Sequence, residues 1–361
     1  MGKRITKTHL GYTGSCYGPS PAVRKAMESS LDMANSYPHE GYMDLKRAIA
    51  EYSNVKPENV MVTNGCDEAI VLITYKFGRK VLIQAPTYSE FERIAKGTGS
   101  EIKIKGQSIV RSPFRINFGQ EDLDWASLTW VCTPNNPTGD VVKKAEILDM
   151  ASRTKGIVAV DEAYYEYCNE TVADSIEEYK NLIVARTFSK AFATEGVRLG
   201  YIISNPETIK LLENSTHEYN VNRVARAAGI AVFKSMSYYK TEAERLKSIK
   251  LDFESACKSL GFKIREHDLP FSLLIFDSEK ERDICHGAFL KHGIVTLKNT
   301  HEEFTGFDDP CIRVATGNRA QMEKALLALK SMRQSAPRHP KAYALRVRKL
   351  KRVQQMQRSN N

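Results

Sequence analysis

Short apolar runs, each stopped by a polar turn, recur along most of this chain, and no other feature limits its fold as strongly. Val60-Met61-Val62-Thr63, Lys80-Val81-Leu82-Ile83-Gln84-Ala85, Leu128-Thr129-Trp130-Val131-Cys132, Ile157-Val158-Ala159-Val160 and Asn181-Leu182-Ile183-Val184-Ala185 read as buried strands, with another near residues 199–203. Ile102-Lys103-Ile104-Lys105 alternates and reads as a further strand. Helical stretches lie between most of them. Such alternation argues a mainly parallel sheet covered by helices. Ligands of these sheets bind beyond the carboxyl ends of the strands.

The residues at those strand ends have a specific chemistry. Thr133-Pro134-Asn135-Asn136-Pro137-Thr138-Gly139 follows one run, and Asp161-Glu162-Ala163-Tyr164 follows the next. The last of the three is followed by Thr187-Phe188-Ser189-Lys190-Ala191-Phe192 and then Gly196-Val197-Arg198-Leu199-Gly200-Tyr201. A lysine at a strand end, taken alone, is an ordinary solvated charge. Taken together, Asn136, Asp161, Tyr164, Ser189, Lys190 and Arg198 are what a pyridoxal phosphate site needs. The amine of Lys190 forms the Schiff base with the cofactor aldehyde, and the carboxylate of Asp161 pairs with the pyridine nitrogen. Asn136 and Tyr164 can hydrogen-bond the ring oxygen, while the hydroxyls of Thr187 and Ser189 and the guanidinium of Arg198 can hold the phosphate.

These motifs resemble those of the fold-type I pyridoxal phosphate enzymes, in particular the class I/II aminotransferases. The likeness runs over about residues 17–329 and is greatest to histidinol-phosphate aminotransferases and their threonine-phosphate decarboxylase relatives. It implies an α/β fold: a large domain with a mainly parallel seven-stranded sheet, plus a smaller α+β domain. The expected division is an N-terminal arm over 1–35, a cofactor-binding domain over 36–237, a small domain over 238–333 and a basic tail over 334–361.

The resemblance also assigns residues. Asn64-Gly65-Cys66-Asp67-Glu68 follows a strand and opens a helix expected over residues 69–77, so Gly65, Cys66 and Asp67 match the turn that binds the cofactor phosphate. Tyr88 matches the aromatic that stacks on the pyridine ring, with a core tyrosine as the alternative. Residues 11–21 resemble an arm that crosses the site mouth, with Tyr17 and Gly18 at its Tyr-Gly-Pro-Ser-Pro positions; a surface loop before a helix explains the glycines equally well. Tyr37 matches a tyrosine that reaches the phosphate of a neighbouring subunit, which implies a homodimer with shared sites; a locally packed turn tyrosine is the alternative. Arg313, in Cys311-Ile312-Arg313-Val314-Ala315, matches the arginine that grips the substrate carboxylate with its planar fork. Asn222 and Arg319 match further substrate-side positions, in Glu218-Tyr219-Asn220-Val221-Asn222 and Gly317-Asn318-Arg319. The implied activity is transfer of an amino group from an amino acid or an amine such as histidinol phosphate to a 2-oxo acid. A threonine-phosphate-type decarboxylase uses the same motifs and is the alternative.

Two departures bear on the substrate. Glu195 stands where the resemblance has a small apolar residue, and Glu218 stands where it has proline. Both bring negative charge near the pocket or both face solvent. Arg223 and Arg319 are the cations available to offset them at a substrate phosphate. A donor with a basic side chain is therefore a further alternative.

Composition removes other classes. No apolar run is long enough to span a membrane in these 361 residues, and the N-terminus lacks an apolar leader-like stretch. Seven dispersed cysteines, an odd number without metal-type spacing, suit a reduced cytoplasmic chain. Met1-Gly2-Lys3-Arg4-Ile5-Thr6 fits only the loose myristoylation pattern. Net charge is +10, but eight of those charges belong to residues 334–361, which contain no acid. That segment is expected as a solvated tail, not a nucleic-acid or membrane contact.

Overall fold

The computed structural model describes residues 7–110, 114–299 and 304–335. Nearly all of the basic segment at 334–361, and the myristoylation pattern at Gly2, lie outside the described residues. Among the described residues no helix is long and apolar enough to cross a membrane.

The apolar runs form one seven-stranded sheet. From edge to edge its order is Val60–Thr63, Gly200–Ser204, Leu182–Thr187, Ile157–Asp161, Leu128–Cys132, Lys80–Gln84 and Glu101–Lys105. Only Gly200–Ser204 runs against the others; it pairs antiparallel on both sides, and the remaining pairings are parallel. Side chains alternate between faces along each strand. Leu82, Val131, Val158, Val160 and Val184 enter a core covered by helices Met43–Ser53, Lys144–Arg153 and Arg223–Phe233. Val81, Ile83, Trp130, Ala159 and Ile183 enter the opposite core, with residues of helices Gly65–Phe77, Glu90–Gly97 and Pro206–Glu213. Burial on both faces is why these strands read as nearly continuous apolar runs. Glu101–Lys105 alternates because it is an edge strand, half open to water.

The second unit is a four-stranded antiparallel sheet ordered Lys263–Arg265, Phe271–Ile275, Cys311–Ala315 and Leu297–Lys298. Its core joins Leu274, Ile312 and Val314 to Ile249, Phe253 and Cys257 of the long helix Met236–Ser259. That helix stops at Leu260, followed by Gly261 at φ +80°, the left-handed conformation glycine adopts without a Cβ penalty. The N-terminal arm is stitched to this unit: Thr8–His9 pairs parallel with Ile294–Val295, and Leu10 O accepts from Ala315 N at 2.8 Å. The arm then enters helix Pro21–Ser30, capped by Ser20 Oγ accepting from Val23 N.

One element differs from the reading of its sequence. The helix expected to start near residue 69 starts at Gly65. Glu68 Oε2 accepts from Asn64 N at 2.5 Å, so the acidic residues read as part of a turn close the first helical turn instead.

Candidate active site

Register sets the site. Asp161 lies opposite Cys132 on one neighbouring strand and Ala185 on the other. The segments leaving those strand ends, Thr133–Gly139 and Thr187–Lys190, therefore emerge on either side of the Asp161 carboxylate. They open into a cavity of about 530 Å³ lined, among others, by Cys66, Asp67, Tyr88, Asn136, Asp161, Tyr164, Thr187, Ser189, Lys190, Arg198 and Arg313. Its size is in the ordinary range for a small-molecule site.

Asp161 is 3% exposed and accepts from Ala163 N at 2.9 Å. Burial pushes its carboxyl up to about 7, against the opposing pull of the Ala163 N–H and of Lys190. Lys190 Nζ lies 5.9 Å from the centre of the Tyr164 ring. The Tyr164 hydroxyl is itself fixed by Thr13 Oγ1 at 2.6 Å.

The tandem asparagines divide their work. Asn135 is fully buried and builds the turn: its Nδ2 donates to Pro86 O at 2.8 Å and its Oδ1 accepts from Thr87 Oγ1 at 2.8 Å. Asn136 faces the cavity, where its Oδ1 accepts from Arg313 Nη1 at 2.5 Å. Arg313 also donates from Nη2 to Gly11 O at 2.8 Å. Its guanidinium lies 5.4 Å from the ring centre of Phe271 and 5.3 Å from that of Phe304, so the fork is held on the cavity wall.

The opposite end is built for an anion. Helix Gly65–Phe77 presents the unsatisfied N–H groups of its first turn beside Thr187, Ser189 and Arg198. Gly65 has φ +79°, and a Cβ there would sit 2.7 Å from Arg198 Nη2. Gly200 is needed for the same approach, since its Cβ would lie 2.6 Å from Gly65 C and 2.7 Å from Cys66 N. Arg198 forms an ion pair with Asp67, whose other oxygen accepts from the Tyr88 hydroxyl at 3.2 Å. Burial pushes the Cys66 thiol and the Tyr88 phenol above their usual ranges, so both stay neutral donors.

Five of the residues that the resemblance assigned to cofactor or substrate do not line the cavity. Gly65 lies just behind it, under Arg198. Tyr17 packs against the core of the small sheet under the Arg245 guanidinium, 4.2 Å from its ring centre. Tyr37 is 64% exposed and stacks on Tyr219 at 5.1 Å. Asn222 caps helix Arg223–Phe233 by accepting from Ala225 N at 2.8 Å. Arg319 is exposed and pairs with Asp252 at 3.3 Å. Sequence reasoning in turn missed Tyr12, Thr13, Glu90, Leu297 and Phe304, all of which line the cavity. Thr13 and Leu297 carry no local signal; they arrive through the arm and a two-residue strand.

Behind the site lies a buried ion pair. Arg186 and Glu162, on adjacent strand ends, meet at 2.8 Å with almost no exposure, and Thr171 hydrogen-bonds both. The Tyr165 ring covers the guanidinium at 3.7 Å.

Comparison with known proteins matches this architecture. A histidinol-phosphate aminotransferase of Methanococcoides burtonii is 31% identical over 331 residues, covering 88% of each chain. The crystal structure of histidinol-phosphate aminotransferase from Sinorhizobium meliloti in complex with pyridoxal 5'-phosphate superposes with a TM-score of 0.79 at 21% identity, over 92% of this chain and 93% of that one. L-threonine-O-3-phosphate decarboxylase from Porphyromonas gingivalis gives 0.75 at 22% identity, over 91% and 100%, a likeness of fold. The model of the family described as aminotransferase class I and II matches residues 6–329, so this chain belongs to that family of fold-type I, pyridoxal phosphate-dependent enzymes.

Proposed function

We propose that this aminotransferase moves an amino group between an amino acid or amine and a 2-oxo acid in the cavity between Asp161 and Arg313. One observation carries the assignment of residues: a buried carboxylate, a lysine, an anion-binding helix start and a carboxylate-type arginine fork border a single cavity.

The residues fit pyridoxal phosphate by the chemistry of their donors. Asp161 offers a buried carboxylate that would pair with the protonated ring nitrogen. Gly65, Cys66, Asp67, Thr187, Ser189 and Arg198 offer N–H, hydroxyl and guanidinium groups to the phosphate, and Tyr88 offers a flat ring. When bound, the cofactor supplies an aldehyde for an amine and a protonated ring that withdraws electrons from the substrate.

The chain's own residues do the rest. Arg313 takes the donor carboxylate on a fork already oriented by Asn136 and Gly11. Lys190 Nζ takes the proton from the substrate Cα as general base. Asn136 and Tyr164 hydrogen-bond the cofactor's ring oxygen, and Thr13 holds Tyr164 for that task. Tyr12, Leu297 and Phe304 border the cavity and limit its water.

The assembly we infer is a cytoplasmic homodimer in which Tyr37 of each copy reaches the cofactor phosphate of the other, which its exposed ring favours. The large unit spans 36–237 and the small one 238–333.

The test is a donor screen of the cofactor-loaded protein, with histidinol phosphate and arginine offered against 2-oxoglutarate and glutamate offered against a different 2-oxo acid. The expected result is an oxo product matched by glutamate or its counterpart, with no CO2. Release of CO2 in step with product replaces transamination with decarboxylation.

A further inference from the structure

Three cations line the cavity among the described residues: Lys190, Arg198 and Arg313. Each has a place at the cofactor or at the substrate carboxylate. Four carboxylates, Asp67, Glu90, Asp161 and Glu195, line it with them. Asp67 is paired with Arg198, and Glu90 accepts from Arg93 Nε at 2.8 Å. Asp161 belongs to the cofactor.

Glu195 is different. It belongs to the short helix Glu195–Val197 between Lys190 and Arg198, and its carboxylate lies against the arm at Gly14. A Cβ on Gly14 would overlap that carboxylate, so the missing side chain at 14 is what gives it room. Glu195 is exposed yet lines the cavity, its backbone O accepts from Arg198 Nη1 at 3.2 Å, and its carboxylate forms no ion pair among the described residues.

The cations that a substrate phosphate would need are occupied elsewhere. Arg223 pairs with Glu40 at 2.7 Å and donates to Ser36 O at 2.8 Å. Arg319 pairs with Asp252. Glu218, the other acidic departure, is exposed and does not line the cavity. A phosphate monoester brings about −1.5 to −2 charges at neutral pH. It would enter a cavity that holds one substrate-side arginine and a free carboxylate.

Resting on the transamination reading above, we infer that Glu195 is a specificity-determining residue for the amino donor. The donor is a 2-amino carboxylate whose side chain ends in a cation, an ammonium or guanidinium. Arg313 takes the carboxylate and Glu195 the remote charge, with Gly14 leaving the space between arm and helix. Phosphorylated amines are poor donors.

The test compares kcat/KM for lysine, ornithine and arginine with that for glutamine and histidinol phosphate, in the cofactor-loaded enzyme with 2-oxoglutarate. Dissociation constants come from the absorbance change on donor titration. A charge-assisted contact predicts that Glu195→Gln lowers the preference for cationic over neutral donors by about tenfold to a hundredfold. Most of that loss falls on KM and on the dissociation constant, and Glu195→Asp restores part of it. Glu195→Arg moves the preference toward histidinol phosphate. The inference is overturned if the wild-type enzyme prefers histidinol phosphate, or if Glu195→Gln leaves the donor ratio unchanged. Failure of every donor to react while the cofactor stays bound overturns the transamination reading itself, and the two failures are separated by that spectrum.

Discussion

Arg313 Nη1 donates to Asn136 Oδ1 at 2.5 Å, joining side chains 177 residues apart in sequence. One comes from an inner strand of the small sheet, the other from the turn after a strand of the large one. The arginine that would seat a substrate carboxylate is thus fixed by an asparagine that faces the same cavity. Replacing Arg313 with lysine keeps the charge but loses both branches of this fork. KM for carboxylate donors should rise about tenfold to a hundredfold, with a smaller change in kcat, as read from steady-state kinetics.

Lys190→Ala removes the amine to which the proposed reading attaches the cofactor. The visible absorbance band of the lysine-linked cofactor should vanish, and turnover should fall by at least about a hundredfold to ten-thousandfold. Retention of the band would place the attachment on another lysine.

Asp161 makes the cofactor-free protein sensitive to pH. Its carboxyl is raised to about 7 in the folded chain, and that of the half-buried Glu166 is also raised to about 7, both chiefly by loss of solvent around them. In the unfolded chain they titrate near about 4. Between those values the folded state holds more protons, so raising the pH removes stability. The Tm of the cofactor-free protein should fall from pH 5 to pH 7.5, and Asp161→Asn should flatten that slope. Adding pyridoxal phosphate should flatten it too, since a cationic ring nitrogen gives the carboxylate a partner.

Gly200→Ala places a Cβ against the backbone of Gly65 and Cys66. Overpacking of this kind costs about 1–3 kcal/mol. Because the displaced atoms begin the phosphate-binding helix, cofactor affinity should weaken along with Tm, measured by titration and by thermal melting. A drop in Tm with unchanged affinity would separate the strand contact from the phosphate turn.

Glu162→Gln leaves Arg186 buried without its anion. Such a break costs about 3–5 kcal/mol. Denaturant unfolding should show a lower midpoint, and Arg186→Met in the same background should recover part of the loss.

The sheet was legible because its strands are buried on both faces and so read as unbroken apolar runs. The motifs at their carboxyl ends were legible because Asp161, Asn136 and Lys190 follow those runs directly. What the sequence hid were contacts between distant segments. Arg186 and Glu162 look like ordinary polar residues until adjacent strands bring them together. Thr13 reaches Tyr164 across 151 residues, with no local pattern to announce it. Glu195 could face either way until the fold brought its carboxylate against Gly14 of the arm. The start of helix Gly65–Phe77 was hidden by residues typical of turns, which here close its first turn.

The contact between Gly11 O and Arg313 Nη2 spans 302 residues and has a temporal meaning. At a synthesis rate of roughly 5–20 residues per second, the arm waits about 15–60 s on the ribosome for the strand that seats it. The groups that surround the cofactor, from Cys66 to Arg198, are all translated well before that. On the reading proposed above, the residues that would hold the cofactor are therefore complete in a nascent chain before the arm meets the arginine that would take a substrate carboxylate.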